Sequence, residues 1–293
     1  MLSIVTPSFN QLNWLKLCAA SVADQNGVEF EHIVQDACTG GGLNEWAAGQ
    51  RIKLFVEQDD GMYDALNRGL RRSKGELCAY LNCDEQYLPE ALARVAAHFK
   101  AHPDLDVLLA DSLVVDSAGR YICTRPALTP LRWPGAYAFS PMPVLTSGIF
   151  FRREVFEQHG IFFRPEWKIV GDAVWMGELV QKQLRITRAG FTTSVFTETG
   201  ENLCLDSRFL TEQTRYRSSF PSYWQPLKHL LLPIHRLRKL FHGQYRSRPL
   251  TYEIYTLQSP GQRRRFEVSK SSSIWWDRIK GTKPNEMGAQ QLA

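Results

Sequence analysis

The strongest constraint on this chain is Leu77–Glu85, where the largely apolar run Leu77 to Leu81 stops abruptly at Asn82-Cys83-Asp84-Glu85. A short apolar run ending in carboxylates predicts a buried strand that delivers acids to the C-terminal edge of a sheet. In open α/β sheets that edge is where ligands bind. If the strand persists, Asn82 and Asp84 project to the same side. Asp84 and Glu85 then offer hard oxygen donors suited to Mg²⁺ or Mn²⁺ on a diphosphate. The plainer alternative is that Asp84-Glu85-Gln86 opens the next helix, with Pro89 in its first turn.

The flanking sequence repeats a strand–helix cadence. Leu2–Val5 reads as a strand leaving through Thr6-Pro7-Ser8-Phe9-Asn10, followed by helical spacing at Trp14, Leu15, Cys18 and Val22. Phe30–Val34 is a second strand, ending at Asp36 and a Gly40-Gly41-Gly42 loop, and Ile52–Val56 is a third. Glu57-Gln58-Asp59-Asp60-Gly61 leads into a helix through Met62, Ala65, Leu66, Gly69 and Leu70. After the Leu77 strand come a helix from about Pro89 to His102 and a fifth strand, Val107–Ala110, ending at Asp111. Such alternation predicts a Rossmann-like, mostly parallel sheet covered by helices on both faces. The triple glycine matches neither a dinucleotide fingerprint nor a P-loop. His98 and His102 have metal-compatible spacing but no third ligand nearby, so a solvated helix face is expected.

The net charge of +5 hides an asymmetry. Residues 214–293 hold 15 Lys+Arg against 4 Asp+Glu, while residues 1–213 hold 20 against 26. An acidic body with a basic tail implies different partners for the two parts. The six cysteines form no Cys-x-x-Cys pair, which argues against a zinc ribbon and for reduced thiols. Neither a secretory leader nor an apolar run of about 20 residues is evident, so a cytoplasmic protein is expected, peripheral at most on the inner face of the cytoplasmic membrane. Tyr223–Phe241 carries Trp224, Leu227, Leu230, Leu231, Ile234, Leu237, Leu240 and Phe241 at helical spacing, with Lys228, Arg236, Arg238 and Lys239 between. Pro226 and Pro233 limit it to short or kinked helices. This stripe either lies on anionic lipid, reinforced by Arg263-Arg264-Arg265 and Trp275-Trp276, or packs on the catalytic body. No nucleic-acid reading motif is present, and the chain after about Lys280 is expected to be disordered. Trp133, Pro134, Tyr137 and Phe139 read as an irregular loop, able to stack on a ligand or to pack beneath the sheet.

Taken together, these motifs resemble the inverting family 2 glycosyltransferases, which have the GT-A fold. Ser3-Ile4-Val5-Thr6-Pro7-Ser8-Phe9-Asn10-Gln11 resembles the family's opening strand, and Ser21-Val22-Ala23-Asp24-Gln25 the end of its first helix. Asp59 to Gly69 resembles a characteristic helix entry. Ser73-Lys74-Gly75-Glu76 and the strand into Asn82-Cys83-Asp84-Glu85 are similar to the lead-in and metal motif. Thr146-Ser147-Gly148 with the following Ile149–Arg153 resembles the acceptor side, and Gly171-Asp172-Ala173-Val174-Trp175 sits where the catalytic acid pair stands. The resemblance covers about residues 1–200. It implies a catalytic domain over 1–213, with a donor half to about 112 and an acceptor half after it, and a basic, mostly helical extension over 214–293.

By this resemblance the donor is a nucleotide-sugar, preferably a UDP-sugar carrying a hexose or N-acetylhexosamine. The cofactor is Mn²⁺ or Mg²⁺, and the acceptor is a glycan or lipid-linked saccharide of surface polysaccharide such as lipopolysaccharide. Thr6, Pro7, Ser8, Asp36, Asp60, Asn67, Asn82 and Cys83 match donor-side positions, with Asp64 beside them open to a structural role. Asp84 matches the metal ligand, Thr146, Ser147 and Gly148 the acceptor side, and Asp172 the general base. The chain departs from the family pattern at Asn82, where Asp-x-Asp is usual, at Gly40–Gly42, where a second Asp is usual, and at Gly171, which replaces one acid of a pair. Glu166 and Glu178 are the alternative bases. The competing readings are a catalytically degenerate nucleotide-sugar-binding scaffold and a sugar nucleotidyltransferase, the latter disfavoured because Thr6–Gln11 has no basic residue.

Overall fold

The computed structural model describes residues 1–133, 135–200 and 207–274. Cys204, Trp275-Trp276 and the segment after about 280 lie outside the described residues. Strands β1 (Leu2–Ser8), β2 (Phe30–Asp36), β3 (Lys53–Val56) and β4 (Leu77–Tyr80) run parallel in the order β3-β2-β1-β4. Helices α1 (Leu12–Ala23), α2 (Leu43–Ala47) and α3 (Met62–Arg72) connect them. Because the four strands share a direction, Ser8, Asp36 and the exit from Tyr80 meet along one edge.

Alternation along β1 sorts its side chains between two cores. Leu2 and Ile4 join Cys18 and Val22 of α1, whereas Val5 joins Leu66 and Leu70 of α3. Each large apolar side chain sealed in this way contributes about 1.5–3 kcal/mol relative to exposure. The same parity sends Thr6 beneath α1, which matters for the site below.

Beyond β4 the sheet changes direction. The short strand β5 (Glu85–Tyr87) precedes helix α4 (Ala91–Ala101), and the long strand β6 (Val107–Asp116) pairs antiparallel with β7 (Tyr121–Arg125). Strand β8 (Ile149–Arg152) lies antiparallel between β4 and β6, and β9 (Ile186–Glu198) runs parallel to β6 and antiparallel to β5. The plainer alternative for Asp84-Glu85-Gln86 is set aside here, and the end expected for the fifth strand is corrected. Glu85-Gln86-Tyr87 does not open a helix; its backbone pairs with Phe196, Val195 and Ser194, and α4 starts only after Glu90, which turns the chain with φ 60°. The fifth strand continues past Asp111, whose Oδ1 accepts the Ala127 N–H at 2.8 Å.

The remaining elements are α5 (Ala136–Phe139), α6 (Glu154–Glu157), α7 (Gly171–Gln181), α8 (Phe209–Ser218), α9 (Leu227–Phe241) and a hairpin of β10 (Leu250–Thr256) and β11 (Ser259–Val268). The stretch expected as an irregular loop contains α5, and its aromatics are packed: Trp133 lies 4.6 Å from Trp224 and 6.2 Å from Phe139 between ring centroids. The boundary expected at 213 falls inside α8, and the extension adds a hairpin to its helices. Helix α9 passes through Pro233 unbroken. His229, whose carbonyl loses its i+4 donor there, is an exposed residue, where water can replace that bond. His98 and His102 stack at 4.4 Å, and no group of three or more His, Cys, Asp or Glu gathers as a metal cage among the described residues.

Candidate active site

The edge formed by β1, β2 and β4 gathers buried polar atoms without partners, on Ser8, Asp36, Asn82 and Glu85. Asp36 is fully buried at the end of β2; its Oδ1 accepts the Thr39 N–H at 2.5 Å while Oδ2 has no partner. Ser8 Oγ, at the end of β1, is likewise buried without a partner. Buried polar atoms are normally satisfied, so such orphans point to a ligand. A cleft of about 630 Å³ opens beside them, between Asn10–Trp14 on one side and Thr39–Gly41 on the other. None of Ser8, Asp36, Asp84 and Asp172 lines it directly; Thr39, whose N–H Asp36 accepts, joins the cleft to the end of β2.

Strand β4 stops at Tyr80, and the chain then turns tightly, with the Glu85 N–H donating to Asn82 O at 3.0 Å. The turn, not strand alternation, sets the relation of Asn82 to Asp84. Burial raises the Asp84 carboxyl above the usual range, and the charge of Glu198 adds to the effect. Register explains that neighbour: β5 pairs with β9 so that Glu85 faces Phe196, which brings Glu198 alongside the turn. Asn82 Oδ1 is buried and unpartnered. Asp84 and this oxygen form a hard donor set that fits Mg²⁺ or Mn²⁺. Glu85 is not a second ligand. It is fully buried, its Oε2 accepts the Asn82 N–H at 2.8 Å, and burial together with the Asp84 charge raises its pKa. Its Oε1 lacks a partner of good geometry, although the Ser147 hydroxyl lies near enough to favour ionisation. Cys83 is tied to the cleft wall, its thiol donating to Gln11 Oε1 at 3.2 Å.

Asp172 lies in the first turn of α7, where helix N-terminal N–H groups favour a carboxylate. Burial nevertheless wins and pushes it up to about 6. Its Oδ1 accepts the Ala173 N–H at 2.8 Å. The charges of both Asp172 and Glu85 reach Tyr80, so the two acids share one neighbourhood. Of the alternative bases, Glu178 is paired with Arg164 at 2.8 Å and Glu166 is on the surface.

Two groups that sequence reasoning did not single out, Tyr63 and Glu212, hold Asp172 in place. Tyr63 Oη donates to Ile169 O at 3.2 Å and accepts the Asp172 N–H at 3.1 Å. A Cβ on Gly171 would sit 2.6 Å from the Tyr63 ring, so the second acid of the family pair has no room here. The second group, Glu212 of α8, accepts the N–H groups of Lys168, Ile169 and Val170 at 2.8, 2.8 and 3.2 Å, fixing the approach to α7. Tyr63 is local to a recognisable motif, but nothing in the sequence around Glu212 connects it to residues more than forty positions earlier.

Several expected site residues are committed elsewhere. The Thr6 hydroxyl is sealed under α1 against His32 Nε2 at 2.8 Å, and burial holds that imidazole neutral, its pKa down to about 3. Asn67 spends its amide on the backbone of Phe163, donating at 2.8 Å and accepting at 3.0 Å, so it fastens the segment that leads to Asp172. Ser147 is buried, its Oγ accepting from Ser194 Oγ at 3.1 Å, and Gly148 is pressed against Ala110 O; only Thr146 of the three keeps partial exposure. Pro7 is buried within β1. Asp60 is exposed at the start of α3 and pairs with Lys168 at 2.8 Å, while Asp64 pairs with Arg68 at 2.7 Å.

The model of glycosyl transferase family 2 matches residues 3–160. A PGL/p-HBAD biosynthesis glycosyltransferase of Mycobacterium bovis is 29% identical over 170 residues, which is 53% of this chain and 60% of that relative's length. The chain therefore spans less than two thirds of that relative. Among solved structures, S. aureus TarS 1–349 in complex with UDP superposes with a TM-score of 0.54 at 20% identity, covering 82% of this chain and 72% of TarS. The mannosyltransferase PcManGT of Pyrobaculum calidifontis, in complex with GDP-Man and Mn²⁺, gives 0.55 at 15% identity, covering 83% and 74%. These likenesses show the GT-A fold.

Proposed function

The chain belongs to glycosyl transferase family 2, and we propose that it transfers a sugar with inversion from a nucleotide-sugar to a hydroxyl of a glycan or lipid-linked acceptor, in building bacterial surface polysaccharide or glycolipid. The observation that carries this reading is the pairing of a cation-suited turn, Asn82–Asp84, with a separately held carboxylate, Asp172, around Tyr80. A uridine nucleotide is the favoured donor, on the likeness to UDP-bound TarS.

In this reading Asp172 accepts the proton of the acceptor hydroxyl as its oxygen attacks the anomeric carbon, and the bond from that carbon to the diphosphate breaks with its electron pair. Asp84 and Asn82 Oδ1 would hold Mn²⁺ or Mg²⁺, whose chemistry when bound is to offset the charge on the departing diphosphate. Asp36 Oδ2 and Ser8 Oγ stand free to engage the nucleoside. Tyr63 and Glu212 hold Asp172 in position. Thr146 is the accessible residue of the acceptor-side trio.

Calorimetric titration of UDP, GDP and dTDP, each with and without Mn²⁺, tests the reading. Binding of one nucleotide that strengthens with Mn²⁺ is expected. A folded protein that binds none of the three would remove the transferase assignment in favour of a degenerate scaffold.

Helix α9 supports a membrane-surface role. Leu231, His235 and Lys239, four residues apart, face inward, and the Arg238 guanidinium donates to Thr129 O. Leu230, Leu237, Leu240 and Phe241 are half exposed or more on the other sides, beside Arg236. Both expected uses of the stripe are thus compatible, one face packed and one free for anionic lipid. No helix among the described residues is long and apolar enough to cross a membrane. The double variant Leu237→Glu, Phe241→Glu is expected to weaken partitioning onto phosphatidylglycerol vesicles about tenfold or more. Unchanged sedimentation with vesicles would defeat the membrane reading.

A further inference from the structure

The cleft beside Ser8 and Asp36 has one wall residue from far along the chain. Leu257 lines it together with Asn10, Gln11, Trp14, Thr39 and Gly40. Leu257 and Gln258 are the two-residue turn between β10 and β11, since Thr256 pairs with Ser259. Turns of this kind ordinarily carry glycine or small polar residues, yet Leu257 is an apolar side chain, 41% exposed. A single exposed leucine is unremarkable on a surface. Its position at the mouth of a cleft, 216 or more residues from the rest of the lining, is what requires explanation.

The hairpin is held firmly enough to define a wall. Arg263 donates to both oxygens of Asp24 at 2.6 and 2.8 Å, and also to Glu253 O at 2.9 Å and Tyr87 O at 3.0 Å. Such two-pronged, charge-assisted contacts fix orientation as well as adding energy. The Gln86 amide clasps the backbone of Tyr255, donating to its carbonyl and accepting its N–H, each at 2.9 Å. Tyr255 Oη donates to Asp24 at 2.8 Å. Deeper in the hairpin, Tyr252 and Ile254 pack against Leu113, Val115 and Val195. That apolar patch already accounts for docking of the hairpin on the sheet, and Leu257 is not part of it. The anchors are the C-terminal end of α1, whose first turn lines the cleft, and β5, which follows directly on the Asp84 turn.

We infer that the C-terminal hairpin completes the nucleoside end of the donor site, with Leu257 packing against the nucleobase as an apolar wall and Asp24–Arg263 acting as the positioning pair. This rests on the transferase reading above. A base has a flat, weakly solvated face that gains from apolar contact, while the diphosphate, held toward Asp84, has no use for it. Affinity for the base end should therefore depend on residue 257, and affinity for the diphosphate end should not.

The experiment titrates the tightest-binding of UDP, GDP and dTDP, and separately inorganic pyrophosphate, each with Mn²⁺, into the full chain and its Leu257→Ala and Arg263→Ala variants. Leu257→Ala is expected to weaken nucleotide binding about five-fold with pyrophosphate binding unchanged. Arg263→Ala is expected to shift nucleotide binding in the same direction and to lower the thermal midpoint. The turn is exposed, so Leu257→Ala keeps the test valid even where Arg263→Ala fails to fold. Nucleotide affinity within about two-fold of the parent in Leu257→Ala would overturn the inference and leave the transferase reading standing. Equal weakening of nucleotide and pyrophosphate would also overturn it. A parent chain that binds no nucleotide would take both down together.

Discussion

Replacing Asp172 with Asn is expected to lower kcat about 10²- to 10⁴-fold, the usual worth of a positioned general base, while nucleotide affinity stays at the parent value. The substitution is conservative for the fold. An asparagine Oδ1 can still accept the Ala173 N–H, and the backbone bond from residue 172 to Tyr63 is untouched. What disappears is the ability to take a proton. The pH profile gives an independent readout. Burial raises the Asp172 carboxyl to about 6, and only the ionised form can accept, so kcat/KM should rise with pH through about 6 and level off above it. In the Asn variant that rising limb should vanish. Full transfer activity in Asp172→Asn would sink the assignment, and the base would then have to be sought outside α7, since Glu178 is already paired with Arg164.

The parallel half of the fold was legible because its evidence is local. Apolar runs of strand length, helical spacing in the connections and polar residues at strand exits all lie within a few positions of what they predict, and β1 to β4 with their helices follow. The side-chain assignments were harder. Thr6 occupies a motif position, but strand parity places it with Leu2 and Ile4 under α1, a reading available from alternation alone. Asn67 is similar: its place in a motif is visible, while its bond to Phe163, 96 residues away, is not. Asp84-Glu85-Gln86 carries residues that suit a helix start, and only the later strand β9 decides in favour of pairing from Glu85 on. The hairpin and Glu212 have no local signal at all, because their meaning lies in what they touch across the sheet. Gly171 is the instructive departure. As sequence it is a missing acid; as structure it is the space that the Tyr63 ring fills, and the Tyr63 phenol takes the Asp172 N–H there.

Asp84→Asn should separate metal-assisted donor binding from stability, because the two are expected to move apart. Asp84 supplies the charged oxygen of the cation-suited turn, and Asn82 opposite it supplies only a neutral one. With the charge gone, the part of nucleotide affinity that depends on Mn²⁺ should fall at least about 100-fold, the upper end of what is lost even when groups supporting a metal ligand are removed. Pyrophosphate binding should fall in parallel, unlike the base-end variant Leu257→Ala. Stability should respond in the opposite sense. The folded-state pKa of Asp84 is raised by burial above its unfolded value, so this group favours folding below the unfolded value and loses that contribution as pH climbs through the folded one. Near neutral pH the buried charge is therefore a burden, and an amide of the same shape relieves it, so the thermal midpoint of Asp84→Asn at pH 7 should hold or rise. The comparison to make is the midpoint difference between parent and variant at pH 4 and at pH 7, with the variant gaining at the higher pH. Retained Mn²⁺-dependent binding in a folded Asp84→Asn protein would show that the cation, if used, is held elsewhere. A loss of binding accompanied by a falling midpoint at neutral pH would instead reassign Asp84 to the fold and leave the Asn82–Asp84 turn without its role at the diphosphate.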